Sequence, residues 1–98
     1  MQSTTITLRS TTRPVWAVDC VAKIDTGAAR TSIDSKLAEF LRADLAGTVR
    51  TKNAMGSQLR PVVWINFIWN EEEYRIKASV VDREGLKAAV ILGQDVLA

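Results

Sequence analysis

Through most of the chain apolar and polar residues alternate with a period of two, which predicts strands rather than helices. Thr4, Ile6 and Leu8 alternate with polar neighbours and give a half-exposed first strand, a candidate for pairing with another subunit. Pro14 punctuates the start of a long apolar strand from Val15 to Ile24, which delivers Asp25 at its end. Arg30 to Ile33 allow a second, short strand. Beyond Ile33 the period changes: Leu37, Phe40 and Leu41 fall at i, i+3 and i+4, one face of a short helix. Asp34 or Ser35 supplies its N-cap, and Gly47 lies past its end. It is the one helix that the pattern predicts.

The second half reads as hairpins. Thr48 to Lys52 and Leu59 to Trp69 flank a turn from Asn53 to Gln58, which would project as a loop at the tip of two strands. Val63, Ile65, Phe67 and Trp69 share one face of the longer strand, while Val62, Trp64 and Ile68 share the other. Apolar residues on both faces suit a central strand covered on each side, or one face buried against a partner. After the charged turn Asn70 to Glu73, the residues Tyr74, Ile76, Ala78 and Val80 alternate with Arg75, Lys77 and Ser79, a strand buried on one side. A turn at Asp82 to Gly85 leads to a last apolar strand, Ala88 to Leu92. The fold class expected is mainly β.

At 98 residues the chain is one domain, 1–98, without internal repeat, linker or low-complexity tract. Its core is modest, at a size where oligomerisation often adds burial. A hydrophobic fraction of 47% and a charged fraction of 24% belong to a folded protein rather than a disordered one. The net charge is only +2, with Lys and Arg scattered, so nucleic acid is not an expected partner. No signal-like segment opens the chain, and no apolar run approaches the roughly 18 residues of a membrane span. A soluble cytoplasmic protein, without a membrane partner, is the expectation.

Two absences narrow the chemistry. Without histidine, neither a Ser-His-Asp nor a Cys-His mechanism nor a His-containing zinc site can be assembled. The lone Cys20 cannot close an internal disulfide or build a thiolate cluster, and its place in an apolar strand favours a buried structural thiol. No metal and no cofactor are called for.

What remains is Ile24-Asp25-Thr26-Gly27-Ala28, a carboxylate at the end of an apolar strand followed by a hydroxyl, a glycine and a methyl side chain. Asp and Gly are common turn residues, so a plain turn between strands is one reading. A rigid strand end is also where a precise catalytic group is best supported.

Together with a glycine-containing hairpin tip at Asn53-Ala54-Met55-Gly56-Ser57 and the later run Val90-Ile91-Leu92-Gly93-Gln94-Asp95, the Asp25-Thr26-Gly27-Ala28 motif resembles the retropepsin-like aspartic proteases. The motifs occur in family order across nearly the whole chain. More narrowly, Ile24 to Ser32 is similar to a small cellular group described as ATP-dependent zinc proteases, found linked to glutamate ligases in prokaryotes. The resemblance implies a closed or partly open β-barrel with one short helix and an active site at a homodimer interface. Because the chain carries one copy of the motif, catalysis would require two copies of Asp25 facing each other across a two-fold axis.

The implied activity is aspartic endopeptidase, with a peptide or protein as substrate. Asp25, Thr26 and Gly27 would be catalytic: the acid itself, a hydroxyl bonded across the dimer axis, and a glycine that permits close backbone approach. Ala28, Ala29, Arg30, Met55, Gly56 and Ser57 would line the substrate cleft, the last three as a closing flap or else as an exposed hairpin tip. Arg30 stands where retroviral members carry acidic residues. It either favours acidic substrates or is an exposed solubilising cation. The chain also stops at Leu97-Ala98, before the helix and often an interface strand with which family members generally continue, so either a weak dimer or a truncated domain is expected. Against the enzyme stand a catalytically inactive peptide-binding or dimerisation module of the same fold, and a small β-barrel interaction domain in which Asp-Thr-Gly is merely a turn. Nothing in the chain matches a phosphate-binding loop of the G-x-x-x-x-G-K-[ST] type.

Overall fold

Alternation produces seven strands: β1 (Ser3–Arg9), β2 (Ala17–Ile24), β3 (Ser32–Asp34), β4 (Leu45–Asn53), β5 (Gly56–Trp69), β6 (Glu72–Val81) and β7 (Val90–Leu92). Helix α1 (Ser35–Leu41) and a single turn, α2 (Gln94–Leu97), complete the secondary structure. This computed structural model describes residues 2–10, 16–82 and 88–98, with all their side chains but that of Asn53. Pro14, Val15 and the Arg83 to Gly85 part of the expected turn lie outside the described residues.

The strands form one sheet in the order β1-β2-β7-β3-β6-β5-β4, and β1 bonds β5 as well. Six strands thereby close into a barrel, and β4 lies outside the ring on β5. β5 is 14 residues long because its neighbours use different parts of it. β4 pairs with Gly56 to Val63, β6 with Val62 to Trp69, and β1 with Asn66 to Ile68. From Gly56 to Pro61 the described pairing is with β4 alone, so the β4–β5 hairpin extends past the barrel.

Inward-facing positions of every ring strand build the core. Ile6, Leu8, Ala22, Ile33, Val63, Ile65, Phe67, Ala78, Val90 and Leu92 are buried together, joined by Ala38 and Leu41 of α1. Each large side chain among them contributes about 1.5–3 kcal/mol relative to remaining in water. Phe67 stacks on Tyr74 with ring centroids 4.9 Å apart, extending the core to the half-buried edge of β6.

The packing decides between several expectations and corrects others. β1 pairs with β2 from Ser3 to Arg9 and with β5 from Thr7 to Arg9, so much of the strand expected to seek another subunit is engaged inside its own barrel. Asp34, rather than Ser35, caps α1, its carboxylate accepting the N–H groups of Lys36 and Leu37 at 3.1 and 3.3 Å. The helix turns Ala38 and Leu41 inward, whereas Phe40 is 48% exposed and lies against Trp16, ring centroids 4.5 Å apart. The helix ends at Arg42 in the left-handed region, φ 53°. Gly47 lies past that end, in β4 at φ 126°, where the register slips between Leu45 and Gly47. The expected six-residue tip loop shrinks to Ala54-Met55, because Asn53 already pairs with Gly56. β5 buries its inward face, while of its outward apolar residues Val62 is buried and Trp64 and Ile68 are half-buried.

Candidate active site

β2 ends where its parallel partner β7 ends, Ile24 beside Leu92, and the Asp25 N–H continues the ladder by donating to the Leu92 carbonyl at 3.0 Å. The chain then turns. Ala28 N–H donates to the Asp25 carbonyl at 3.2 Å, and Gly27 N–H donates to Asp25 Oδ1 at 2.9 Å. One carboxylate oxygen is thus held by its own loop, which fixes the rotamer of the side chain. Asp25 is half-buried, while Thr26 and Gly27 are exposed. Among the described residues the Thr26 hydroxyl has no hydrogen-bond partner within the chain.

The loop is clamped from behind by the start of α2. Gln94 donates its backbone N–H to the Ala28 carbonyl at 2.8 Å and its side-chain amide to the Thr26 carbonyl. Gly93 lets these backbones meet: a Cβ there would stand 2.7 Å from the Arg30 carbonyl carbon and 2.8 Å from the Ala28 oxygen. Its N–H donates to Thr31 Oγ1 at 3.1 Å, and that hydroxyl donates to Asp95 Oδ1 at 2.7 Å. Asp95 also accepts the Thr31 N–H at 3.0 Å. Gln94 and Asp95 were legible as part of a motif but not as a clamp, and the polar role of buried Thr31 carries no local signal in the sequence.

The predicted site residues fall into two groups. Asp25, Thr26, Gly27, Ala28, Ala29 and Arg30 are contiguous on the β2–β3 loop. Met55, Gly56 and Ser57 lie at the tip of the β4–β5 hairpin, with Gly56 at φ 123°. Met55 is 95% exposed, and Ser57 accepts a hydrogen bond from Arg50 across the hairpin at 3.2 Å.

Beside the loop lies a pocket of about 360 Å³ lined by Ala29, Arg30, Trp64, Ile76, Lys77 and Asp95. Trp64, Ile76 and Lys77 are contributed by β5 and β6, and only the register Trp64 to Lys77 brings them to the loop's side. A pocket of about 460 Å³ between Arg9, Asn66, Glu73 and Tyr74 shares no residue with the Asp25 loop.

Cys20, on β2, is half-buried against the core, and burial with the neighbouring Asp19 carboxylate pushes its thiol up to about 11. It therefore stays protonated at neutral pH and is no nucleophile. Among the described residues no cluster of three or more His, Cys, Asp or Glu side chains could hold a metal ion, and no helix is long and apolar enough to cross a membrane.

Solved structures of similar fold include viral proteases. The chain is similar to the protease of simian foamy virus (mac), in its solution structure, with a TM-score of 0.70 at 15% identity over 96% of this chain and 89% of that one. It is similar to a foamy viral protease–reverse transcriptase solved with an RNA/DNA hybrid, TM-score 0.57 at 16% identity, covering 93% of this chain but only 11% of that longer one. A Legionella pneumophila protein of unknown function matches with a TM-score of 0.55 at 16% identity, over 93% of this chain and 80% of that one. No protein-family model and no curated protein sequence matches the chain. The fold is the retropepsin-like protease barrel, mainly β with one short helix, and its structural neighbours include viral proteases.

Proposed function

We propose that the chain is an aspartic endopeptidase that acts as a homodimer, hydrolysing peptide bonds with water activated between two copies of Asp25. One observation carries the reading. The Asp25 carboxylate is held in a fixed rotamer on a clamped loop whose Thr26 and Gly27 are exposed. That exposed edge offers a surface for a second copy, and the free Thr26 hydroxyl offers it a hydrogen bond. The fold likeness to viral proteases supports the assignment.

Two carboxylates brought to hydrogen-bond distance cannot both ionise cheaply, so the pair shares a proton. The ionised member takes a proton from water as the oxygen attacks the scissile carbonyl, while the protonated member donates a hydrogen bond to the carbonyl oxygen. Gly27 leaves the cleft floor without a side chain and Ala28 keeps it shallow. The Met55-Gly56-Ser57 tip closes over the peptide and excludes water.

The narrower resemblance, to cellular ATP-dependent zinc proteases, carries a metal that these residues do not fit. The chain has no histidine, its one thiol sits on a core strand, and the Asp25 and Asp95 carboxylates are engaged by separate backbone donors. No step is assigned to a metal.

The test is cleavage of a peptide library at acidic and neutral pH, at high protein concentration, by the native chain and by Asp25→Asn. The substitution is expected to lower turnover by at least about 10²–10⁴-fold, the range for loss of an acid–base group, while the fold is kept. Turnover per chain is expected to fall on dilution, as the dimer dissociates. Peptide binding without cleavage by the native chain would favour the inactive-module reading, and undiminished turnover in Asp25→Asn would overturn the catalytic assignment.

A further inference from the structure

We propose that the pocket beside the Asp25 loop, between Arg30, Trp64 and Lys77, is a subsite selective for a carboxylate side chain of the bound peptide. The inference rests on the peptide-hydrolase reading and names the substrate class of that site.

Charge accounting is the first argument. The pocket is lined by two cations, Arg30 and Lys77, and one carboxylate, Asp95. That carboxylate keeps its charge while it accepts both the N–H and the hydroxyl of Thr31 at 3.0 and 2.7 Å, so the lining carries one more positive charge than negative. Among the described residues neither Arg30 nor Lys77 has an ion-pair partner, and the pair of Arg9 with Glu73 lies elsewhere. An anionic group that enters the concavity thus meets a net positive site.

Shape is the second. Lys77 Nζ lies 5.2 Å from the centroid of the Trp64 ring, so the indole positions the ammonium. Arg75 approaches the same ring at 4.7 Å but is tied to Asn66 Oδ1 at 3.2 Å, and it does not line the pocket. Trp64 and Ile76 supply apolar wall for the methylene stem of a glutamate, and the cations take its head. Arg30 adds a planar fork suited to a carboxylate. Ala29 and Arg30 lie on the same loop as Asp25, so one extended peptide can reach both the carboxylate and the pocket.

The experiment measures fluorescence anisotropy of labelled octapeptides on the Asp25→Asn chain, which binds without turnover, in parallel with cleavage of the same peptides by the native chain. Each peptide is made in two forms, with Glu or Gln at one scanned position. At one position the Glu form is expected to bind about three- to tenfold tighter, the worth of one or two partly exposed charge contacts. That preference is expected to shrink in high salt and to be accompanied by a change in Trp64 fluorescence. Arg30→Met and Lys77→Met each lower it, and Lys77→Glu, at an exposed position that leaves the core untouched, turns it toward a Lys-bearing peptide. Equal binding of Glu and Gln forms at every position, or a preference unmoved by Lys77→Glu in a chain of unchanged thermal stability, overturns the subsite. Absence of cleavage of any peptide by the native chain would count against the hydrolase reading alone, since the binding arm decides the pocket independently.

Discussion

The Asp95 carboxylate accepts both the backbone N–H and the hydroxyl of Thr31, a residue 64 positions earlier in the chain. Thr31 is fully buried, and its hydroxyl in turn accepts the Gly93 N–H at 3.1 Å. The three groups form one relay that joins the end of β7 to the start of β3 behind the Asp25 loop. Asp95→Ala strands two donors of a buried residue, and is expected to cost about 1–3 kcal/mol in urea unfolding. Thr31→Val removes the acceptor of the Gly93 N–H and is expected to cost a similar amount. The double variant should lose less than the sum, because both changes break the same relay. Additive losses would show that the two residues act separately.

Gly93 is required by space. Its φ is −105°, which any residue adopts, yet a Cβ would meet the Arg30 carbonyl carbon at 2.7 Å and the Ala28 carbonyl oxygen at 2.8 Å. Both are backbone atoms of the loop that carries Asp25, so they cannot move aside like a side chain. Gly93→Ala is expected to destabilise the fold by about 1–3 kcal/mol. Peptide turnover by the folded fraction should fall as well, because relief of the clash shifts the Asp25 loop. A variant of native stability and turnover would mean that the clamp yields without consequence.

The contrast between Asp25 and Trp64 explains what was legible in the sequence. Asp25 announces itself because its partners are local: the strand before it and the Gly27 N–H two residues later are both read along the chain. The strands were legible for the same reason, alternation being a local pattern. Trp64 reaches the site only through the β5–β6 register and barrel closure, which no local pattern encodes. Phe40 misled because period alone placed it inward, whereas the half-buried Trp16, from the segment before β2, offered its ring a partner outside the core. Gly47 does lie past the helix, but its service to an irregularity in β4 depends on a strand pairing that no local pattern shows. The fate of β1 was open because an alternating strand fits a closing barrel and a neighbouring subunit equally well.

The β5–β6 turn holds a removable strain. Asn70 and Glu71 form its two-residue tip, both at positive φ, 51° and 67°. Asparagine tolerates that region, but a glutamate Cβ crowds its own backbone there, at a cost of about 1–2 kcal/mol. Glu71→Gly removes the crowding and gives back part of the gain as extra freedom in the unfolded chain. The net expectation is a stabilisation of about 0.5–1 kcal/mol, read as a higher Tm. Because the turn shares no residue with the Asp25 loop or its adjoining pocket, turnover should be unchanged. A lower Tm would show that the Glu71 side chain contributes more than its backbone costs.

Cys20 supplies a pH dependence whose sign follows from its surroundings. Burial on β2, and then the Asp19 carboxylate beside it, push the folded thiol from 9.0 up to about 11. The unfolded chain, with an ordinary thiol, loses its proton first as pH rises. Between about pH 9 and 11 the folded state therefore binds more protons, and folding stability falls across that window. Below it both states keep the proton and the group contributes no slope. Cys20→Ser removes the thiol, so its stability should decline less steeply than that of the native chain over the same interval. Alkylation by iodoacetamide at pH 8 should be slow in the native protein and fast in urea, since only the thiolate reacts. Rapid native labelling at that pH would place the thiol in solvent and remove the predicted slope.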